Sequence, residues 1–421
     1  MGFFIHETVS KINIGENVRY LNNSMRSAFC NCFNFNSAVQ IPHGVTDASY
    51  AFQYCNKFNQ PINIPSTVVN TSHMFEYCEG YNQSIVIPDS VIDVSNMFAT
   101  NNAQYLYGGY NLSVKLGNNV GDMRYFLYNR STFNTEISVP DSVIDMSFAF
   151  YNCQKYNHQI LIGNNVMEMV GAFGYCKNFN QPIVIPSGVL NMRQAFTSCS
   201  NFNQSVTIPD KVTDIYGLLA SCTNFRQSVT IGNSVVNMQQ AFAYCNNFNR
   251  PVTIPGSVRN AWWAFYQCQA INSPVVIENG VTDISYAFYN CWRFNQPINI
   301  PDSVTNMSYA FYSGYTGTLL NKPINIGSGV ENLAYAFYSQ RNLASNISII
   351  SKVVTNVRNM LYGKNNSKKV NIIVPADSTT NTTFAQNTST TSVVGAAITW
   401  TINSTNNCRY NTARNIYVYW V

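Results

Sequence analysis

Three columns of residues in this 421-residue chain are of types that do chemistry. Cysteine recurs at one spacing as Cys32, Cys55 and Cys78, and again as the unbroken run Cys153, Cys176, Cys199, Cys222, Cys245, Cys268 and Cys291. Such a row could ligate metal or pair into disulfides. No CxxC or Cys/His zinc spacing is present, however, and parallel side chains in register point the same way rather than at each other. The column therefore reads as small buried hydrophobes, and free thiols fit synthesis in a reducing cytoplasm. A second column alternates Asp with Asn, as in Asp47, Asn70, Asp93, Asp122, Asp145, Asn191, Asp214, Asn237, Asn260, Asp283 and Asn306. A ladder of carboxylates could hold cations, but amides interrupt this one freely. Asp and Asn are favoured N-caps, whose side chains accept the unpaired amide hydrogens of a first helical turn, so capping is the expected role.

The third column is aromatic and regional. Pairs three residues apart recur in four successive repeats: Trp263 with Tyr266, Tyr286 with Tyr289, Tyr309 with Tyr312, and Tyr335 with Tyr338. Trp262, Trp292 and Tyr315 are close in sequence, and Tyr125, Tyr128, Phe148 and Tyr151 make a smaller island. Aromatic rings combine apolar area with a polar handle, which suits both sugar and protein partners. Trp262, Trp263, Tyr266, Tyr286, Tyr289, Trp292, Tyr309, Tyr312, Tyr335 and Tyr338 are the candidate binding band. The competing reading is that the rings pack on each other and only widen the core.

Catalytic patterns are missing. The four histidines, His6, His43, His73 and His158, fall in no metal spacing. There is no GxSxG, P-loop, Rossmann glycine pattern or HExxH. The exposed position of the strand half, from Gln40 and Asn63 to Asn299 and Asn325, shows no paired carboxylates for glycan cleavage. An enzyme is not expected, and neither a cofactor nor a metal is implied.

The elements that would position these columns follow from one repeat. With the Phe of Ala-Phe as anchor, the positions run Phe29, Phe52, Phe75, Phe98, Leu127 and onward to Phe337 and Leu361, mostly 23 residues apart. The steps after Phe98, Phe311 and Phe337 are longer. A fixed period over this length predicts a solenoid. One half, as in Gln296-Pro297-Ile298-Asn299-Ile300-Pro301, alternates apolar residues between prolines and predicts a short strand with Ile298 and Ile300 inward. Stacked copies would build one parallel sheet. The other half, as in Asn306-Met307 through Ala310-Phe311, carries apolar residues at i, i+3, i+4 and i+7, which predicts a short helix or helical turn. Asn seven residues past the anchor, from Asn36 to Asn295, predicts an inward structural ladder that satisfies backbone groups.

The pattern I-P-x-S-V-x-x-[MI]-x-x-A-F-x-x-C resembles the BspA-like leucine-rich repeat, and the F-N-Q and N-M-x-x-[AM]-F elements are similar to surface-lipoprotein repeats of mycoplasmas. The resemblance spans about residues 17–361. It implies a right-handed leucine-rich-repeat solenoid of about 14 rungs, counted from the anchors, and a role in adhesion and recognition. Copies of such repeats also occur in phage proteins. Residues 1–24 read as an N-terminal cap or degenerate rung, 25–361 as the solenoid, and 362–421 as a C-terminal β cap or terminal module. The Ser/Thr/Asn-rich run 378–392 reads as a loop, and the insertion 101–111 as a bulge able to reach a partner.

Charged residues make up 10% of the chain and the net charge is +5, so a phosphate-binding stripe and a nucleic-acid partner are not expected. No apolar run reaches the ~18 residues that span a bilayer, so membrane insertion is not expected. The first residues lack a basic stretch followed by an apolar core, which predicts a chain made without its own export signal. Together these point first to a virion component of a phage, on tail, fibre or head surface, that contacts host-cell glycan or surface protein and other virion proteins. The alternatives are a bacterial or protist surface adhesin of the BspA type, and a structural spacer or decoration protein.

Overall fold

The computed structural model describes residues 23–101, 112–385, 392–394 and 400–421. Most of the N-terminal segment 1–24 and of the insertion 101–111 lies outside the described residues. The chain forms two compact units, Met1–Gln204 and Ser205–Val421. Each is a stack of the same rung.

The strand half behaves as its alternation requires. Ile298 and Ile300 are buried and Asn299 between them is exposed, and the same in-out-in order holds at Val39-Gln40-Ile41 in the first unit. Regular strand is nevertheless sparse. The first unit has β1 (Ile85–Val86) and β2 (Val114–Lys115). The second has β3 (Val206–Thr207), β4 (Val229–Thr230), β5 (Val252–Ile254), β6 (Val275–Ile277), β7 (Ile298–Ile300), β8 (Ile324–Ile326), β9 (Asn346–Ile349) and β10 (Val370–Val374). The expected single sheet is thus replaced by parallel pairs β1–β2, β3–β4 and β5–β6 and by one longer sheet. Among the described residues, ten rungs, rather than each of about fourteen, carry a regular strand.

Of the expected short helix or helical turn, the repeat forms turns, and no helix occurs in it among the described residues. The segment that carries the i, i+3, i+4 pattern is a ribbon of consecutive turns. Within a rung, Ala51, Gln53 and Cys55 N–H groups donate to the carbonyls of Ala48, Tyr50 and Phe52 at 3.2, 3.1 and 2.9 Å. Between rungs, the alternate N–H groups of Ala48, Tyr50, Phe52 and Tyr54 donate to Asn70, Ser72, Met74 and Glu76 at 2.9–3.0 Å. Tyr50 and Tyr54 have φ of 59° and 62°, and the same two positions are left-handed in rung after rung, as in Tyr286 and Asn290. A left-handed non-glycine residue costs roughly 1–2 kcal/mol. Four inter-rung hydrogen bonds per ribbon offset that cost, and a helix would forgo them because its N–H groups point along its own axis.

The Asx column does the local work expected of it, on a turn rather than a helix. Asp47, Asn70 and Asp145 each accept from the backbone N–H two residues on, at 2.9, 2.9 and 2.8 Å. Successive members pair as parallel bridges from Ser24 to Asn191 in the first unit and from Asp214 to Asn356 in the second. The asparagine ladder also exists, but it runs along the stack instead of inward. The Asn36 Oδ1 accepts from Asn59 N–H at 2.8 Å, and Asn59 Oδ1 accepts from Asn82 N–H at 3.0 Å.

The core is a set of stacked rings. In the first unit Phe150, Phe173 and Phe196 stack with centroids 5.3 and 5.6 Å apart, nearly parallel. A second row, Tyr156, Phe179 and Phe202, lies beside them at 5.9 Å spacing. All twelve cysteines are free. The column thiols are more than filler. Cys176 Sγ donates to the Phe150 carbonyl at 3.0 Å and Cys268 Sγ to Phe242 at 2.9 Å, each reaching the anchor of the preceding rung. Burial pushes these thiols well above their ordinary value, so they stay protonated donors.

A glycine rule accompanies the strand ends. Where one rung reads Pro-Asp, the next reads Gly-Asn or Gly-Ser: Pro140-Asp141 then Gly163-Asn164, and Pro301-Asp302 then Gly327-Ser328. A Cβ on Gly163 would stand 2.1 Å from the Pro140 carbonyl oxygen. The Asp accepts from the next rung's N–H, at 2.7 Å in both cases.

The tail of the second unit departs from the repeat. Residues read as a loop form a helix, α1 (Thr379–Ala385), because Thr380 and Thr383 turn inward and donate to the carbonyls of Ser351 and Val354 at 2.7 and 2.8 Å. Three further strands follow, β11 (Thr401–Asn403), β12 (Cys408–Asn411) and β13 (Ile416–Trp420). The seven-stranded sheet runs β11-β12-β13-β10-β9-β8-β7. β13 lies parallel to β10, and β12 lies antiparallel to β13.

Candidate functional site

The aromatic band belongs to the second unit, and the turn ribbon positions it. The ring two residues before each anchor sits on the left-handed position: Trp263, Tyr286, Tyr309 and Tyr335 have φ of 56–58°. That conformation swings the side chain onto the outer flank. The ring one residue after the anchor, Tyr266, Tyr289, Tyr312 or Tyr338, stands on the same flank. Two rows result. In one, Tyr286, Tyr309 and Tyr335 stack at 4.5 Å with 6° between planes. In the other, Tyr266, Tyr289, Tyr312 and Tyr338 stack at 5.0, 4.5 and 4.5 Å, and Tyr362 continues it at 4.8 Å. The rows are 5.8–5.9 Å apart at each rung.

Between the rows runs a groove of about 360 Å³ lined by Trp263, Tyr266, Tyr286, Tyr289, Tyr309, Tyr312, Tyr335 and Tyr338. Eight of the ten candidate residues thus meet. Trp262 adjoins the end of the groove, stacked on Trp263 at 4.5 Å. Trp292 is separate: its ring pairs with Tyr315 at 6.4 Å and carries the Arg293 guanidinium at 4.7 Å.

The two ends of the groove differ. At one, Trp263 leaves the row geometry. Its ring lies between Trp262 and Tyr266, 4.5 Å from each, and is turned 60° from Tyr286. The Trp263 indole N–H is buried without a partner. At the other end the exposed Arg358 guanidinium sits 5.8 Å from the Tyr335 centroid. No carboxylate is among the lining residues. Burial holds the Tyr309 hydroxyl up at about 12, and those of Tyr286, Tyr289 and Tyr338 are raised for the same reason. The groove therefore presents neutral hydroxyls and ring edges, because the faces within each row cover one another. That last feature is what the sequence could not show: the rings do pack on each other, and a groove remains between the rows they form.

The island in the first unit uses the same two positions. Tyr125 stacks on Phe148 at 4.9 Å and Tyr128 on Tyr151 at 5.0 Å. It stops where Gly171 and Gly174 follow, since a Cβ there would meet the Phe148 ring at 2.5 Å and the Tyr151 ring at 2.9 Å. Glycine ends a ring row by letting the last ring lie over the backbone.

Five overlapping segments that together span residues 6–277 match the family described as "Mycoplasma protein of unknown function, DUF285". The chain belongs to that family. Residues 263–391, which overlap the last of these segments and include the groove, match the BspA type leucine rich repeat region. No curated protein matches the chain. Among solved structures it is similar to a leucine-rich cell surface protein from Faecalibacterium prausnitzii A2-165, at 24% identity over 66% of this chain and 81% of that one, with a TM-score of 0.37. The DUF285 chain is a leucine-rich-repeat solenoid of the BspA type.

Proposed function

We infer that this protein is a non-catalytic recognition protein of the cell-surface adhesin type, which contacts its partner through the aromatic groove. The observation that carries this reading is the eight-ring groove, raised on one flank of the second unit at positions where rungs such as those of Gln194, Gly217 and Gln240 carry no ring. Those rungs are equally well folded without it, so the rings are not a requirement of the repeat. The BspA-type match supports an adhesive role, since that family's repeats serve adhesion and recognition. The same match gives the surface adhesin precedence over the virion component expected first, which neither matched family supports. No catalytic step enters this reading.

The test is binding of the purified chain to whole candidate host cells beside the triple variant Trp263→Ala/Tyr286→Ala/Tyr309→Ala. Loss of binding in a variant with an unchanged circular dichroism spectrum is expected. Equal binding by the two proteins would remove the groove from recognition.

A further inference from the structure

Building on the recognition reading, we propose that the groove takes an acidic oligosaccharide, laid along the two tyrosine rows with a carboxylate at Arg358 and its far end stopped by Trp263. Three features carry this.

The first is what the groove exposes. Within each row the ring faces are 4.5–5.0 Å from their neighbours and are not free to receive a ligand. A peptide partner that binds through apolar anchors needs open ring faces or pockets. What the rows offer instead is the hydroxyls of seven tyrosines, on both rims at three rungs and on one rim at the Trp263 rung, neutral as phenols are and kept so by burial to higher pH. Phenol hydroxyls both donate and accept. A polyol with donors and acceptors on each unit matches that array.

The second is the repeat length. The rungs of the groove are 4.5–5.0 Å apart, close to the length of one pyranose unit. An extended peptide puts side chains on one face only every second residue, about 6.6–6.8 Å. It falls out of step with the hydroxyls within two rungs, whereas a sugar chain rises by about one rung per unit and, although its units turn about the chain axis, carries hydroxyl and ring-oxygen groups on every side, so each rung can meet a polar group.

The third is charge and polarity of direction. No acidic side chain lines the groove, and among the described residues the cation that lies over one of its rings, Arg358, sits at one end. Among the described residues that guanidinium is in no ion pair. Its planar fork is suited to a carboxylate. At the other end the turned Trp263 closes the row and holds an indole N–H without a partner. The ligand is therefore read in one direction.

The experiment is a titration of the full chain by calorimetry and by quenching of the Trp262/Trp263 fluorescence. The probes are oligogalacturonate, hyaluronan oligosaccharide and oligosialic acid, with methyl-esterified oligogalacturonate and hexaglutamate as comparisons. At least one acidic sugar is expected to bind and to quench. Arg358→Ala should weaken it about tenfold, as should esterification in the wild type. Tyr309→Phe, which keeps the ring and removes the hydroxyl, should weaken it while leaving the melting temperature unchanged. Arg293→Ala, outside the groove, should have no effect. Equal binding of the ester, binding of hexaglutamate alone, or no binding of any acidic sugar would each overturn the proposal. If none binds while the triple groove variant still loses cell binding, the acidic-sugar ligand is wrong and the recognition reading stands. If cell binding survives in that variant, both fall.

Discussion

Each unit has one step lengthened by three residues or more, after Phe98 and after Phe311, and these two breaks are mended differently. In the first unit the step after Phe98 is long and Asn101 stands where a buried cysteine belongs. In the second the step after Phe311 is long and Gly314 stands there. Each break is followed by a rung whose own cysteine is replaced by a longer side chain, Arg130 or Gln340, both buried. Arg130 Nε donates to the Phe98 carbonyl at 2.7 Å and its Nη2 to Cys78 at 2.8 Å. Gln340 Nε2 donates to the Phe311 carbonyl and leaves its Oε1 without a partner. The anchor carbonyl is the group a thiol serves in ordinary rungs. The lesson is that where a side chain at this column reaches the preceding anchor carbonyl it does so as a hydrogen-bond donor, and thiol, amide and guanidinium each supply one. Lys364, at the same position in a later rung, donates to the carbonyls of Asn365, Lys368 and Arg414.

The comparison predicts an order of effects. Arg130→Ala strands the buried Phe98 carbonyl, takes one of two donors from the Cys78 carbonyl and opens a cavity, so it should cost about 3–5 kcal/mol in chemical denaturation. A loss below about 1 kcal/mol would mean that the carbonyls find other donors and that the charge is incidental. Gln340→Ala strands one carbonyl and should cost about 2 kcal/mol, while Gln340→Cys, which restores the ordinary donor, should cost less than Gln340→Ala. If cysteine is no better than alanine there, the column serves volume rather than hydrogen bonding. Cys176→Ala, in an unbroken run, should cost about 1 kcal/mol, measured the same way.

The smallest effect separates charge from amide. Burial pulls Arg130 below the ordinary arginine value of 12.5, to about 10. Between those values the unfolded chain binds more protons than the folded one, so the contribution of Arg130 to stability rises with pH. The stability difference between wild type and Arg130→Gln should therefore shift toward wild type from pH 9 to 11, with the tyrosine titrations common to both proteins cancelling. A flat difference would show that the two carbonyls hold the guanidinium charged throughout.

Much of this was legible beforehand. The cysteine column, the Asx column and the in-out-in strand half each depend on contacts between residues at fixed spacing, and periodicity reports those directly. Helix and turn were both open for the other half and the choice between them was not legible, because i, i+3, i+4 is the apolar pattern of a helix and equally of turns that close every third residue. The aromatic positions were visible as a band, and eight of the ten meet in one groove. Arg358, which marks an end of it, carried no signal, since a lone arginine in a polar segment resembles any solvated charge. The pairing of Pro-Asp with a following Gly was readable at every occurrence, but its cause, a carbonyl 2.1 Å from a would-be Cβ at Gly163, exists only in three dimensions.

The sequence by itself determined the period, the inward residues of each rung and the reduced state of the cysteines, because each follows from a pattern repeated many times over. Tertiary structure alone decided between helix and turn ribbon, placed Trp263 across the end of the groove, and gave Arg130 and Gln340 their carbonyl partners. These depend on hydrogen bonds and ring contacts between rungs, where the groups that meet are 23 or more residues apart and the local chain is indifferent between alternatives.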